Sequence, residues 1–257
     1  APPAIPPLRQ EVLFLIRLSV NEAQRGGASF AARQRACRGS PGVCCAGARA
    51  ARARSAALSS PIHFWFDFSS PYSYIVNEWI DTMVARHGRA VQRHAMLLGV
   101  TFQAAELKSP VSYPLKREYS LHDFARSARF EGLPIRMPSS FPLPTQNAAR
   151  IFWWLHDTGS PQAAADWARA AFRAVFTRGV LINEAPALKA LAAESGLDAE
   201  AAEAAWNDPQ WKARLKAECD AAIAGGMFGA PWIVVDGEPF WGNDRKVQIE
   251  RWLQGPF

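Results

Sequence analysis

Cysteine is scarce: there are four in 257 residues, and Cys37, Cys44 and Cys45 all precede residue 61. None forms a Cys-x-x-Cys pair, and no histidine lies at zinc-finger spacing from them, so neither a dithiol redox centre nor a structural zinc site is expected. Cys219 stands alone in the remainder. A stretch with one thiol cannot cross-link itself, which suits a reducing compartment or indifference to redox state, and the expected location is cytoplasmic. The five histidines, His63, His87, His94, His122 and His156, include no pair four residues apart, so no metal is expected either. No apolar run approaches the ~20 residues of a membrane-spanning helix, and the segment from Val12 to Val20 is interrupted by Arg17. Positive charge is missing where a nucleic-acid-binding domain would need it. Residues 1–60 hold nine arginines against two acids, while residues 61–257 hold 20 basic and 21 acidic residues, so the formal +6 of the whole chain says little about a partner. Neither nucleic acid nor membrane is expected as a partner.

What is present divides the chain. Residues 1–60 open Ala-Pro-Pro-Ala-Ile-Pro-Pro and continue through Ala/Arg/Gly/Ser-biased sequence with little apolar periodicity. This composition predicts a disordered or non-native extension, with an Arg-rich transit peptide as the alternative. The rest, within a chain that is 49% apolar, can fill a core. Its pattern reads strand Ile62–Phe66, helix Tyr72–His87 and strand Val91–Leu98, with a turn through Gly99 to Phe102. A proline-spaced region follows, with one helix over Leu121–Glu131. Helical periodicity then runs from Thr145 to Ala224. A hairpin around Asp236-Gly237 and a last helix from Lys246 to Leu253 complete the chain. The order β-α-β, about 100 helical residues, then β-β-α predicts an α/β thioredoxin-like fold with an all-helical insertion. Residues 61–100 and 226–257 would form the thioredoxin-like domain and 101–225 the insertion.

The stretch Asp67-Phe68-Ser69-Ser70-Pro71-Tyr72-Ser73-Tyr74 organises this arrangement. It joins the first strand to the first helix, with Ser69 or Ser70 as N-cap and Pro71 in the first turn. Backbone N–H groups at a helix start favour an anion there. Ser70-Pro71-Tyr72-Ser73 has the layout of the Cys-Pro-x-Cys motif of thioredoxin-fold oxidoreductases, with serine at both thiol positions. Where a protein thiol would be activated by the helix end, the same place can stabilise a thiolate brought by a ligand. An ordinary serine cap is the plainer reading of these residues taken alone.

Together with Leu97-Leu98-Gly99, Tyr113-Pro114-x-Lys116, Gly229-Ala230-Pro231 and Phe240-Trp241-Gly242-Asn243-Asp244-Arg245, this stretch resembles the 2-hydroxychromene-2-carboxylate isomerases, relatives of the kappa-class glutathione transferases. The resemblance covers about residues 61 to 255. It implies glutathione as cofactor and Ser70 as the catalytic donor to its sulfur. Ala230, before a proline expected to be cis, would pair with the cysteinyl backbone. Asn243 and Asp244 would hold the γ-glutamyl end, and Lys116 the glycyl carboxylate. Tyr72, Trp241 and Gly242 complete the implied contacts. The family asparagine after the Leu-Gly turn is replaced here by Leu107 or Lys108, and Gln103 stands where a lysine is usual.

The implied reaction exchanges 2-hydroxychromene-2-carboxylate with trans-o-hydroxybenzylidenepyruvate, in aromatic hydrocarbon catabolism, with a slot for the ring that Trp241, Trp153 or Trp154 could wall. The resemblance also implies a homodimer. A kappa-class-like transferase or peroxidase would use the same Ser70 and the same pocket, and a non-catalytic glutathione-binding protein is a further alternative. A protein disulfide oxidoreductase is excluded by the missing thiols at 70 and 73.

Overall fold

The computed structural model describes residues 60–257, and the expectation for residues 1–60 falls outside them apart from Ser60. Strand β1 (Ile62–Phe66) alternates in burial: Ile62, Phe64 and Phe66 are buried, while His63 and Trp65 on the opposite face are half-buried. It pairs in parallel with β2 (Val91–Ala95) and antiparallel with β3 (Trp232–Val235), which pairs antiparallel with β4 (Glu238–Trp241). The sheet order is β2-β1-β3-β4. Between β1 and β2 runs helix α1 (Pro71–Ala85), whose buried residues include Ile75, Trp79, Ile80 and Met83. The β3–β4 turn places Asp236 and Gly237 at positive φ, 54° and 92°, as a tight hairpin requires. Helix α9 (Lys246–Gln254) closes the chain. This is a thioredoxin-like fold with helices inserted between β2 and β3.

The inserted helices are α2 (Leu98–Ala104), α3 (Pro114–Phe130), α4 (Gln146–Trp154), α5 (Pro161–Arg173), α6 (Ala185–Glu194), α7 (Ala199–Asn207) and α8 (Pro209–Ala224). The Phe66 ring meets Phe152 of α4 and Phe172 of α5, each at 5.4 Å, so sheet and insertion share one apolar core. Trp153 Nε1 donates to Ala95 O at 2.9 Å, fastening α4 to the end of β2.

Three features differ from the pattern reading. The segment from Leu98 forms a helical turn because the Asp67 carboxylate accepts from Leu98 N. Helix α3 begins at Pro114, seven residues before the expected Leu121, since proline suits a first turn even where no apolar stripe marks it. Helices α4 and α5 end in π-helical turns, Leu155–Gly159 and Ala174–Arg178.

Helix α8, within the stretch assigned to the insertion, packs over the His63/Trp65 side of the sheet. Its Glu218 accepts from Trp65 Nε1 at 3.0 Å and bonds His94 Nδ1 at 2.7 Å, and Arg214 donates to its other oxygen at 2.9 Å. Burial alone would raise the Glu218 carboxyl, but His94 and Arg214 hold it down at about 2. His94 Nε2 lies 3.0 Å from His63 Nδ1. Burial, then the neighbouring His94, lower His63 to about 4, with Glu218 opposing. The unfolded chain therefore takes up a proton near 6.5 that the folded chain refuses until about 4. The stability that His63 contributes is complete above the upper value and is lost as pH falls towards the lower one. Urea unfolding at pH 7 and pH 4.5 is expected to show a loss of about 2–3 kcal/mol from this group. His63→Gln should remove that part of the slope, and an unchanged slope would reject the assignment.

Candidate active site

The site begins where β1 ends. Asp67 is buried, and its carboxylate accepts from Ser69 N at 2.7 Å, Leu98 N at 2.6 Å and Thr145 Oγ1 at 2.7 Å. Ser70 N donates to Asp67 O at 2.9 Å, which closes the turn and leaves Ser70 as the N-cap of α1 with φ −94° and ψ 112°. Ser70 Oγ accepts from Ser73 N at 3.1 Å and donates to Ala230 O at 3.3 Å. The residue is only 3% exposed, and its hydroxyl is directed at the loop before β3, whose Ala230–Pro231 peptide is cis. The hydroxyl thus lies between a helix N-terminus and a backbone carbonyl, where an anion would be favoured by the first.

The remaining rim follows from two glycines. Pro231 O accepts from Gly242 N at 3.1 Å, which draws the end of β4 to the cis-proline loop. A Cβ on Gly229 would sit 2.6 Å from Trp241 Nε1, so only glycine admits the indole against that loop. Trp241 is nevertheless 51% exposed. Gly242, at φ 110°, lets the Asp244 side chain fold back over it, and Asp244 pairs with Arg245 at 3.2 Å. The turn Asn243–Arg245 packs against α1. Ser70, Ala230, Trp241, Gly242, Asn243 and Asp244 are thereby brought into one contiguous set.

Tyr72 and Lys116 are placed differently. Tyr72 is half-buried in the first turn of α1, and its hydroxyl donates to Asp123 of α3. Lys116, at the start of α3, is exposed, with its ammonium 5.0 Å from the Tyr113 ring. No direct contact joins it to Ser70, and Leu107 and Lys108 are exposed as well. Trp153 is corrected as a candidate slot wall: it is fully buried beneath the Arg214 guanidinium, 3.6 Å away, and packs the core. Sequence reasoning missed the roles of Asp67, Thr145 and Asp123. For Asp67 the signal was present, since the acid already stood at the head of the motif. Among the described residues Cys219 is the single thiol, and burial pushes it up to about 11, so it is no substitute for a reactive thiolate. No group of three or more His, Cys, Asp or Glu residues able to hold a metal occurs among the described residues. No described helix is long and apolar enough to cross a membrane.

Residues 61–254 match the family described as DSBA-like thioredoxin domain. The chain belongs to the DSBA-like thioredoxin family. In this chain serines occupy both thiol positions of the Cys-Pro-x-Cys layout at the helix start. Among curated relatives, it is 28% identical over 198 residues to a 2-hydroxychromene-2-carboxylate isomerase of Sphingobium xenophagum, covering 76% of this chain and 99% of that protein. It is also 28% identical over 216 residues to glutathione S-transferase kappa 2 of Caenorhabditis elegans, covering 76% of this chain and 92% of that protein. A solved structure of a selenomethionine 2-hydroxychromene-2-carboxylate isomerase superposes with a TM-score of 0.69 at 25% identity, over 76% of this chain and 95% of the other. These relatives support an enzyme built on the DSBA-like thioredoxin scaffold.

Proposed function

We propose that the protein is a glutathione-dependent isomerase that interconverts 2-hydroxychromene-2-carboxylate and trans-o-hydroxybenzylidenepyruvate. The observation that carries this reading is the Ser70 hydroxyl at the N-cap of α1, directed at the cis-proline loop, in a domain whose single described cysteine is buried and held protonated. The relative named for the isomerase supports the reaction, and the relative named a glutathione S-transferase supports glutathione as the cofactor. The donor set fits a thiol tripeptide: a hydroxyl and a helix end for the sulfur, an Ala230 backbone for its peptide, and an exposed Asp244 carboxylate for an amine.

When bound, glutathione supplies a thiolate able to add reversibly to a conjugated carbon, turning a double bond into a rotatable single bond. The chain's part is to keep that sulfur ionised and placed. Ser70 would turn its O–H from Ala230 O to the sulfur, while its oxygen continues to accept from Ser73 N. The α1 dipole adds to the stabilisation of negative charge. Trp241 offers an apolar wall beside the rim for the substrate ring. The same reading places the protein in the cytoplasm, where glutathione is kept reduced.

An ultraviolet assay of the chromene carboxylate with and without glutathione tests the proposal. Turnover is expected only with glutathione, and equal turnover without it would reject the mechanism. The kappa-class relative favours a second reading, transfer of glutathione to an electrophile. Conjugation of chlorodinitrobenzene without isomerisation would select it.

A further inference from the structure

Helix α3 is fastened to the site by two consecutive residues. Tyr72, two positions after Ser70, donates its hydroxyl to Asp123 Oδ2, and its ring packs edge-on against Phe124 at 5.0 Å. The other Asp123 oxygen accepts from Arg126, whose guanidinium also donates to Tyr119 Oη at 3.1 Å. Burial, followed by the bond to Asp123 and its charge, raises the Tyr72 phenol, so it remains a donor at neutral pH.

Apart from the Tyr72–Asp123 bond, the first half of α3 is held by the Pro110–Ser112 turn just before it, where Val111 O accepts from Arg117 at 3.4 Å. Of the helix's 17 residues only Ser120, Phe124 and Ala128 are buried, and Leu115 and Tyr119 are exposed. At its far end Lys246 pairs with Glu131 at 2.5 Å. With so thin an apolar face, the rotation of the first half depends on the Tyr72–Asp123 bond as well as that turn.

Lys116 precedes Asp123 by seven positions. That spacing puts both on one helix face, with Lys116 about 10 Å nearer the N-terminus. Among the described residues Lys116 has no carboxylate partner, unlike Lys189, Lys216 and Lys246. We propose that Asp123, acting through the Tyr72 hydroxyl, is a positioning residue that sets the rotation of α3 and holds the Lys116 cation towards the carboxylate end of a thiol bound at Ser70. This rests on the glutathione reading above.

The test uses the full chain and two readouts. Titration calorimetry compares glutathione with its glycyl monoethyl ester, which lacks the carboxylate that Lys116 would meet. Wild type is expected to prefer glutathione by roughly tenfold, and Lys116→Ala to abolish the preference. Tyr72→Phe and Asp123→Ala should each reduce it to about twofold or less, with no further loss in the double variant. Asp123→Asn, which keeps an acceptor for the phenol, should retain it. Hydrogen exchange without ligand reads the latch alone: amides of residues 118–124 should exchange roughly tenfold faster in Tyr72→Phe and Asp123→Ala, but not in Asp123→Asn. Unchanged exchange and unchanged ester discrimination in Tyr72→Phe would overturn the inference. So would an Asp123→Asn variant as impaired as Asp123→Ala. Wild-type protein that binds neither thiol would instead overturn the glutathione reading and the Lys116 placement with it, while the exchange data would still judge the latch.

Discussion

Replacing Ser70 with alanine is expected to lower glutathione-dependent turnover by about 10²- to 10³-fold, the scale seen when one preorganised donor to an anion is removed. The difficulty is that Ser70 is also a cap. Its oxygen accepts from Ser73 N, and losing such a cap costs about 1 kcal/mol of stability. The chain contains its own control. Ser160 caps α5 in the same way, accepting from Ala163 N at 3.1 Å ahead of Pro161, and it belongs to the insertion, outside the contiguous site set. Ser160→Ala should lose comparable stability in denaturant unfolding while keeping turnover within about twofold. If both variants lose activity in proportion to stability, the Ser70 hydroxyl is only a cap. If Ser70→Ala alone falls, and does so in kcat rather than through glutathione affinity, its donor role stands apart from its structural one.

The turns beside this site were legible because they are local: Ser70-Pro71 announces a helix start and Asp236-Gly237 a hairpin, each within a few positions of what it shapes. The strand Ile62–Phe66 and helix α1 were readable for the same reason, since their burial follows a period of two or of 3.6. Gly229-Ala230-Pro231 entered only through the family resemblance, because its partners Trp241 and Ser70 lie 12 and 160 positions away. What escaped notice depends on partners far along the chain. Helix α2 lacks a side-chain cap of its own, and Leu98 N is instead satisfied by Asp67, 31 residues earlier. Helix α3 presents few inward apolar residues before Phe124, so its first turns carry no stripe to find. The Tyr72–Asp123 bond spans 51 positions, and no local pattern announces it. The π turns arise where helix ends adapt to packing, which no periodicity announces.

The same long-range dependence makes Asp67 the position where a single change should do most damage to the fold. Its carboxylate receives three donors from three segments: Ser69 N at the turn, Leu98 N at the start of α2, and Thr145 Oγ1 at the start of α4. Burial pushes the carboxyl upward, and the bonds from Ser69, Thr145 and Leu98 pull against it. Asp67→Ala removes the acceptor but leaves three buried donors, each of which costs about 1–3 kcal/mol when unsatisfied. Together they amount to a loss of about 3–9 kcal/mol, comparable to the ~5–15 kcal/mol that holds a domain together. Asp67→Asn should lose less, because its amide oxygen still accepts, but its NH₂ must then face a donor that the carboxylate satisfied. Guanidinium unfolding of the three proteins measures this order directly. A loss below about 1 kcal/mol for Asp67→Ala would mean that water replaces the carboxylate at all three donors, and the tie between β1, α2 and α4 would then have to lie in the aromatic core instead.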